Sequence, residues 1–497
     1  MKKIVSLILA LVIAMSAFSV GTFAVENEVK VTLDGFEIKF DVPGRLIGDR
    51  TMVPLRTIFE VLGAEVEWIP ETREIISTCG EDTFKLAIGS SELYKNGELA
   101  YTMDVPPVIV EENGESRTLV PARAVSEAFG CTVDWDPATR TAIITNIDED
   151  TVMTVAGFPI DYDLYAYFCN TVLSMYYNDS SVFDNDPAAV ESFKDLVITH
   201  LVSYCSQLDY MAGLGFTPYS SEITAEVNSA LETYKSYYGD AFNEVLESSN
   251  MTEKVFTKVL EHSALLENAH NSISSDVKEI NSEELIGVIT EKNIVLRAAH
   301  ILCEDRETAE ALLEEAKTAN DNEFFALVSE YGTDPGMIGN PDGYYFTQGE
   351  MVEELESAVL ASEIGETSDV VESEYGYHII RRLPLDADFI SENFETIADI
   401  YASHIYSTAV IEKIAEVTNE VVLLDKYNEL NILDEFITPY FENAEQALAD
   451  MLLDINNGEN LDDADEDASS SGDIIEEEAD KDDNTPAYDN DKYIKLI

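Results

Sequence analysis

Positive charge is scarce in this chain. Lys and Arg number 29 against 98 Asp and Glu, a formal net charge of -69 over 497 residues. A polyanion would have to approach against that field, and no Lys/Arg cluster is there to neutralise phosphates, so nucleic acid is not an expected partner. Histidine, with six residues, and cysteine, with five, are also sparse. Without HExxH or CxxC spacing they make no metal-ligand set, and no cofactor is expected. Nor do Cys79, Cys131, Cys169, Cys205 and Cys303 suggest a disulfide scaffold. Cys169 and Cys205 could pair between two helices, but free buried thiols are the favoured reading. Past the first residues no run approaches the ~18 unbroken apolar residues of a membrane span. Core-forming residues are not lacking: hydrophobic types make up 45%, with 24 Tyr and 21 Phe, enough to pack the several domains that this length implies.

Met1-Lys2-Lys3, an apolar run from Ile4 to Met15 and small residues up to Thr22-Phe23-Ala24 form the pattern of a secretory signal peptide, 1–24, with cleavage expected after Ala24. No cysteine lies beside that point to take a lipid. The mature chain is therefore expected outside the membrane, secreted or in the cell envelope, with no span once the signal is removed.

A repeat with an offset of 67 residues follows. Arg50 to Gly63 recurs as Arg117 to Gly130, and Trp68, Pro70, Thr72 and Arg73 map onto Trp135, Pro137, Thr139 and Arg140. The pattern predicts strand, helix, strand and hairpin in each copy, with Pro54 and Pro121 in the first helical turn and the Trp on the buried face of its strand. Residues 25–147 resemble the stalk domain named after the N-terminus of copper amine oxidases. The segment holds no histidine, so only the fold is carried over. The repeated Arg and Trp residues would serve hairpin packing and salt bridging, or alternatively contact a ligand or the cell wall.

From 152 to 291 the apolar spacing is helical, with Leu164, Tyr167, Phe168 and Val172 on one face and Leu196, Val197, Leu201 and Tyr204 on another. Serine-containing acidic stretches at Asn178 to Asp186 and Ser272 to Asp276 predict loops. A second helical stretch, 387–446, shows Phe394, Ile397, Tyr401 and Ile405 on one face. The opening Val152 to Ile160 resembles the strand and turn that begin SurA-like and PrsA-like folding factors, in which the segments before and after an inserted domain build one chaperone body. Past Gly458 the acidic runs Asp462 to Asp467 and Glu476 to Glu478 predict a disordered tail, 458–497.

The segment 294–384 alternates as a small α/β domain: strand Val295 to Cys303, helices Thr308 to Ala319 and Glu323 to Tyr331, a stop at Gly332, a Gly/Pro/Asn-rich loop, a helix near Val352 to Ser362 and a closing strand Tyr375 to Arg381. Four stretches, Arg297 to Leu302, Phe325 to Tyr331, Phe346 to Met351 and Glu372 to Ile380, resemble the parvulin rotamase family in order and spacing. The resemblance implies paired central histidines at His300 and His378, the family's Cys/Asp position at Asp334, and a proline pocket from Phe346, Met351, Leu355 and Tyr375. Leu355 stands where an aromatic is usual, and Gly343-Tyr344-Tyr345 replaces the usual Leu-Gly-aromatic triplet. Read without the family, the histidines are satisfied core groups on two strands, Asp334 forms a turn before Pro335, and Cys303, an odd step from His300, faces the other side of the sheet.

The fold expected is thus multidomain α+β: a repeated β/α stalk domain, a helical chaperone domain with an inserted parvulin α/β domain, and an acidic tail. The function it implies is a peptidyl-prolyl cis/trans isomerase and chaperone. Its partners would be unfolded or partly folded exported polypeptides with Xaa-Pro bonds, with cell-wall contact through the stalk. A rotamase fold that clamps peptides without turnover, and an envelope structural protein, are the competing classes.

Overall fold

The computed structural model describes residues 29–112 and 115–443, and the expected signal peptide and acidic tail lie outside the described residues. The described chain divides into two units, residues 29–265 with 412–443, and residues 266–411.

In the first unit each copy of the repeat folds as predicted. Arg50–Pro54, Leu55–Val61, Glu65–Ile69 and Glu74–Cys79 are matched by Glu115–Pro121, Ala122–Ala128, Thr132–Asp136 and Thr141–Thr145. Both helices end on a glycine with positive φ, Gly63 at 82° and Gly130 at 96°, the left-handed step that stops a helix without a Cβ clash. Pro54 and Pro121 sit one position earlier than predicted, closing the strand as the helix N-cap. The opening strands of the two copies pair antiparallel around Val53 opposite Val120, flanked by Pro54 opposite Leu119 and Met52 opposite Pro121. Because 53 and 120 are equivalent positions, a pseudo-two-fold axis passes through this pair. The core around it includes Ile58, Phe59, Val125 and Ile144, all fully buried.

Trp68 and Trp135 are not on a buried face; they are 38% and 36% exposed. In the row Ala64, Val66, Trp68, burial falls from residue to residue. The helix covering that row has seven residues, about 10 Å of cover, so the row runs out from under it.

Thr151–Val155 pairs with Phe158–Asp161, the expected strand and turn, and also with Val421–Leu423 from the far side of the central segment. Asp161 caps the helix Tyr162–Tyr176 by accepting from Leu164 N–H and is paired with Lys254 at 3.0 Å. Tyr165 of that helix packs edge-on against Tyr427 and Phe436, each ring 5.6 Å away. All five cysteines are free, and Cys79 is half-buried while the other four are buried.

In the second unit, Ser272 to Asp276 is helical rather than a loop, as part of Glu253–Lys278. Ile273 and Val277 are buried on one face, Ser274 Oγ donates to Asp399, and Lys278 pairs with Glu395 at 2.9 Å and Asp399 at 3.1 Å. These contacts outweigh the modest helix propensity of serine. The central domain is an antiparallel sheet in the order Tyr344–Phe346, Leu296–Cys303, Gly376–Arg382, Val371–Ser373. Alternate residues of the second strand serve two cores. Ala299, Ile301 and Cys303 pack with helices Arg306–Thr318 and Asp321–Tyr331, and Leu296 and Ala298 pack with Glu353–Ala361. Cys303 therefore faces away from His300, as its odd spacing predicts. Among the described residues no helix is long and apolar enough to cross a membrane.

Candidate active site

His300 lies opposite Ile380 in the strand pairing, and His378 opposite Leu302, so the two histidines are diagonal neighbours on one face of the sheet. Their Nδ1 atoms are 2.9 Å apart and the rings lie 16° from parallel. Exposure is 5% for His300 and 2% for His378, so every ring nitrogen needs a partner inside the protein. Each has one. His300 Nε2 is 2.7 Å from Asp334 Oδ2, and His378 Nε2 is 2.6 Å from Ser373 Oγ, which also accepts from Tyr375 N–H at 3.1 Å.

Asp334 is the N-cap of a short helical turn, Pro335–Gly339, inside the predicted loop, where its Oδ1 accepts from Gly336 N–H at 2.9 Å. Its Oδ2 takes a second donor, the Tyr344 hydroxyl at 2.6 Å. The turn-forming and site roles of Asp334 thus coincide. Burial works to raise its pKa, but the hydrogen bonds from Tyr344, His300 and Gly336 together outweigh it and hold the carboxyl below its usual range. Burial, then the hydrogen bond to Asp334, pushes the Tyr344 hydroxyl up. Burial and the neighbouring His300 push His378 down to about 4, so it is neutral at pH 7.

When both imidazoles are neutral, the donors align in one direction. Ser373 O–H donates to His378 Nε2, His378 Nδ1–H to His300 Nδ1, and His300 Nε2–H to the carboxylate, where the Tyr344 hydroxyl also ends. Both histidines are buried, and the chain comes to the surface at its ends: Asp334 has 19% of its side chain exposed, and Tyr344 and Ser373 are half-buried.

Tyr344 and Ser373 were not among the residues singled out by sequence, since neither falls in an apolar periodicity. The Gly343-Tyr344 departure supplies the signal in retrospect. Gly343 has φ +94°, and a Cβ there would meet Ala298 O and Leu383 Cδ1, each at 2.9 Å. At Gly336 a Cβ would collide with the Tyr344 hydroxyl. Gly336 thus leaves space for the tyrosine that reaches Asp334, and Gly343 lets the chain turn close against Ala298 just before it.

Phe346, Leu355 and Met351 come together beside Leu296 and Ala298, with Phe346 and Leu355 buried and Met351 half-buried. Tyr375 stands apart from that cluster, 63% exposed in the turn between the last two strands, and reaches the histidines through its backbone bond to Ser373. Among the described residues no group of His, Cys, Asp and Glu is placed to hold a metal.

Residues 296–383 match the PPIC-type peptidyl-prolyl isomerase domain, and residues 32–155 match the copper amine oxidase N-terminal domain. The foldase protein PrsA of Halalkalibacterium halodurans is 32% identical over 266 residues, which are 50% of this chain and 71% of that protein. The chain belongs to the PrsA foldase family. The foldase protein PrsA 1 of Listeria monocytogenes is 35% identical over 159 residues, 31% of this chain and 52% of its own length. A crystal structure of PrsA from Bacillus anthracis aligns at 19% identity and a TM-score of 0.27, covering 44% of this chain and 97% of that one. In this PrsA-family chain the isomerase domain defines the enzyme class, a peptidyl-prolyl cis/trans isomerase of the parvulin type. The stalk match runs to residue 155, past the boundary at 147 predicted from the repeat, and so takes in the strand Thr151–Val155.

Proposed function

We propose that this chain catalyses cis/trans exchange at Xaa-Pro bonds of exported polypeptides, with the prolyl ring held at the Met351 edge of the Phe346–Leu355 cluster and the amide beside Asp334. The uncatalysed barrier of about 18–20 kcal/mol comes from amide resonance, which places negative charge on the carbonyl oxygen. Twisting removes that charge and makes the nitrogen pyramidal and basic. A fixed carboxylate near the carbonyl disfavours the planar, polarised amide more than the twisted one, and an apolar wall favours the less polar state. No bond is made or broken.

In this reading Asp334 is the catalytic residue, and His300 and His378 are positioning residues that anchor it to the sheet. Tyr375, exposed at the rim, contacts the residues flanking proline. The observation that carries the proposal is the saturated hydrogen-bond chain ending on one partly exposed carboxylate. The helical stretches before and after the central domain hold unfolded clients. The first 24 residues direct export, and the stalk segment contacts the cell wall.

A protease-coupled Xaa-Pro peptide assay tests this on the full chain. The unmodified chain accelerates exchange, and a Met351→Ala, Asp334→Ala double variant does not. Equal rates from the two would remove the site assignment and leave a peptide clamp.

A further inference from the structure

The pseudo-two-fold of the stalk creates a matched pair of surface grooves. The first, about 750 Å³, lies between Trp68, Val66 and Arg56 of one copy and Arg117 and Thr118 of the other. The second, about 540 Å³, lies between Trp135, Val133 and Arg123 of the second copy and Arg50 and Thr51 of the first. Every one of these residues maps onto its counterpart by the 67-residue offset.

The polar settings match as well. Arg117 Nε donates to Asp41 Oδ2 at 2.6 Å and Arg50 Nε donates to Asp104 Oδ2 at 2.9 Å. In each groove the same arginine also donates through its Nη1 to the carbonyl of the residue before it, Ser116 or Asp49. Arg56 and Arg123 lie 3.9 Å and 3.8 Å from the carboxylates of Glu60 and Glu127. Asp41 and Asp104 are not equivalent under the offset, since 41 plus 67 is 108, so two unrelated loops each place an aspartate on the equivalent arginine. Duplication of the fold alone does not supply that.

We infer that each groove binds a neutral, hydroxyl-rich polymer, a polysaccharide strand, with the indole of Trp68 or Trp135 lying against the C–H face of a sugar and the arginine–carboxylate pair beside it meeting the hydroxyls. An exposed indole flanked by fixed polar groups suits a ligand with one apolar face and a hydroxylated edge. Charge selects among polymers. In both grooves the arginines are countered by carboxylates, and Lys39, the further cation lining the first, donates to Gly215 O at 3.1 Å; the whole chain is strongly acidic, so a polyanion gains little locally and is repelled at a distance. Two equivalent sites on one domain suit a ligand that itself repeats, because the second contact is then made at high effective concentration. This rests on the wall-contact reading only for the source of the polymer.

Trp68 and Trp135 are the only tryptophans in the sequence, so intrinsic indole emission reports on the grooves and nothing else. Titration of the full chain with a soluble N-acetylglucosamine hexamer gives a saturable change in emission. Trp68→Ala and Trp135→Ala each keep about half of it at unchanged hexamer affinity. On insoluble peptidoglycan stripped of anionic polymers, either variant binds at least 10-fold more weakly than the unmodified chain, through loss of bivalence. Isomerase turnover is unchanged in both. An emission unmoved by the hexamer overturns the inference. Should the stripped wall still bind the unmodified chain and both variants equally, wall contact would stand without the grooves. An extended peptide that saturates the emission where the hexamer does not would replace the polysaccharide with a polypeptide and overturn it as well.

Discussion

Asp334 gathers three donors while remaining partly open to solvent, and in the proposed role its protonation state sets the acid limb of activity. Tyr344→Phe removes one of the bonds that hold the carboxyl low, so its pKa rises and the acid limb of the kcat/KM profile moves to higher pH. An unmoved acid limb would detach Tyr344 from the site. Asp334→Asn keeps the shape and loses the charge, and kcat/KM falls roughly 100-fold, the order reported for deleting one preorganised electrostatic contact. His378 titrates in the opposite sense to a paired histidine. Its folded value of about 4 lies below the unfolded value of 6.5, so the neutral form is favoured by the fold. Its contribution to stability is complete above pH 6.5 and is lost as the pH falls toward 4, at up to about 1.4 kcal/mol per pH unit. Nitrogen-detected NMR of the His378 ring checks this: it stays neutral at pH 5.5, and a protonated ring at that pH would contradict it. The resemblance to the rotamase family points to the histidines and Asp334, whereas the residues by themselves give only core histidines and a turn-forming aspartate. Neither route reaches Ser373 and Tyr344, because their roles depend on a hairpin and on space left at Gly336.

Local patterns predicted most segments, and the misses share a cause. The 67-residue repeat specified eight elements correctly because strand alternation, proline and glycine punctuation agreed in both copies. The indoles were misplaced because alternation tells which face a side chain takes but not how far the covering helix extends. Ser272 to Asp276 was misread because polar composition was weighed without its buried neighbours, Ile273 and Val277. Ser274→Ala therefore costs about 1 kcal/mol through the lost bond to Asp399, measured by chemical denaturation, rather than nothing as expected for a loop. Gly343→Ala is more severe, since positive φ and two close contacts act together. It destabilises the central domain by roughly 1–3 kcal/mol, and hydrogen exchange in the Leu296–Cys303 strand would report it.

Across the whole chain, order along the sequence is not order in space. Val421–Leu423 completes the sheet begun by Thr151–Val155, with the central domain between them in the chain. Three unremarkable residues about 270 positions away carry no signal of that pairing. The sequence does carry the separation of functions: chemistry in 294–384, a duplicated surface in the stalk, and helical segments on both sides of the catalytic insertion. The central claim is that one apolar wall and one carboxylate lower the barrier to prolyl rotation. Magnetisation-exchange NMR on an Ala-Pro peptide with catalytic amounts of the full chain measures this directly. The account predicts cis/trans exchange accelerated well beyond the uncatalysed tens of seconds, and abolished by the Met351→Ala, Asp334→Ala pair. Exchange at the uncatalysed rate while the peptide's proline signals show it bound would contradict it.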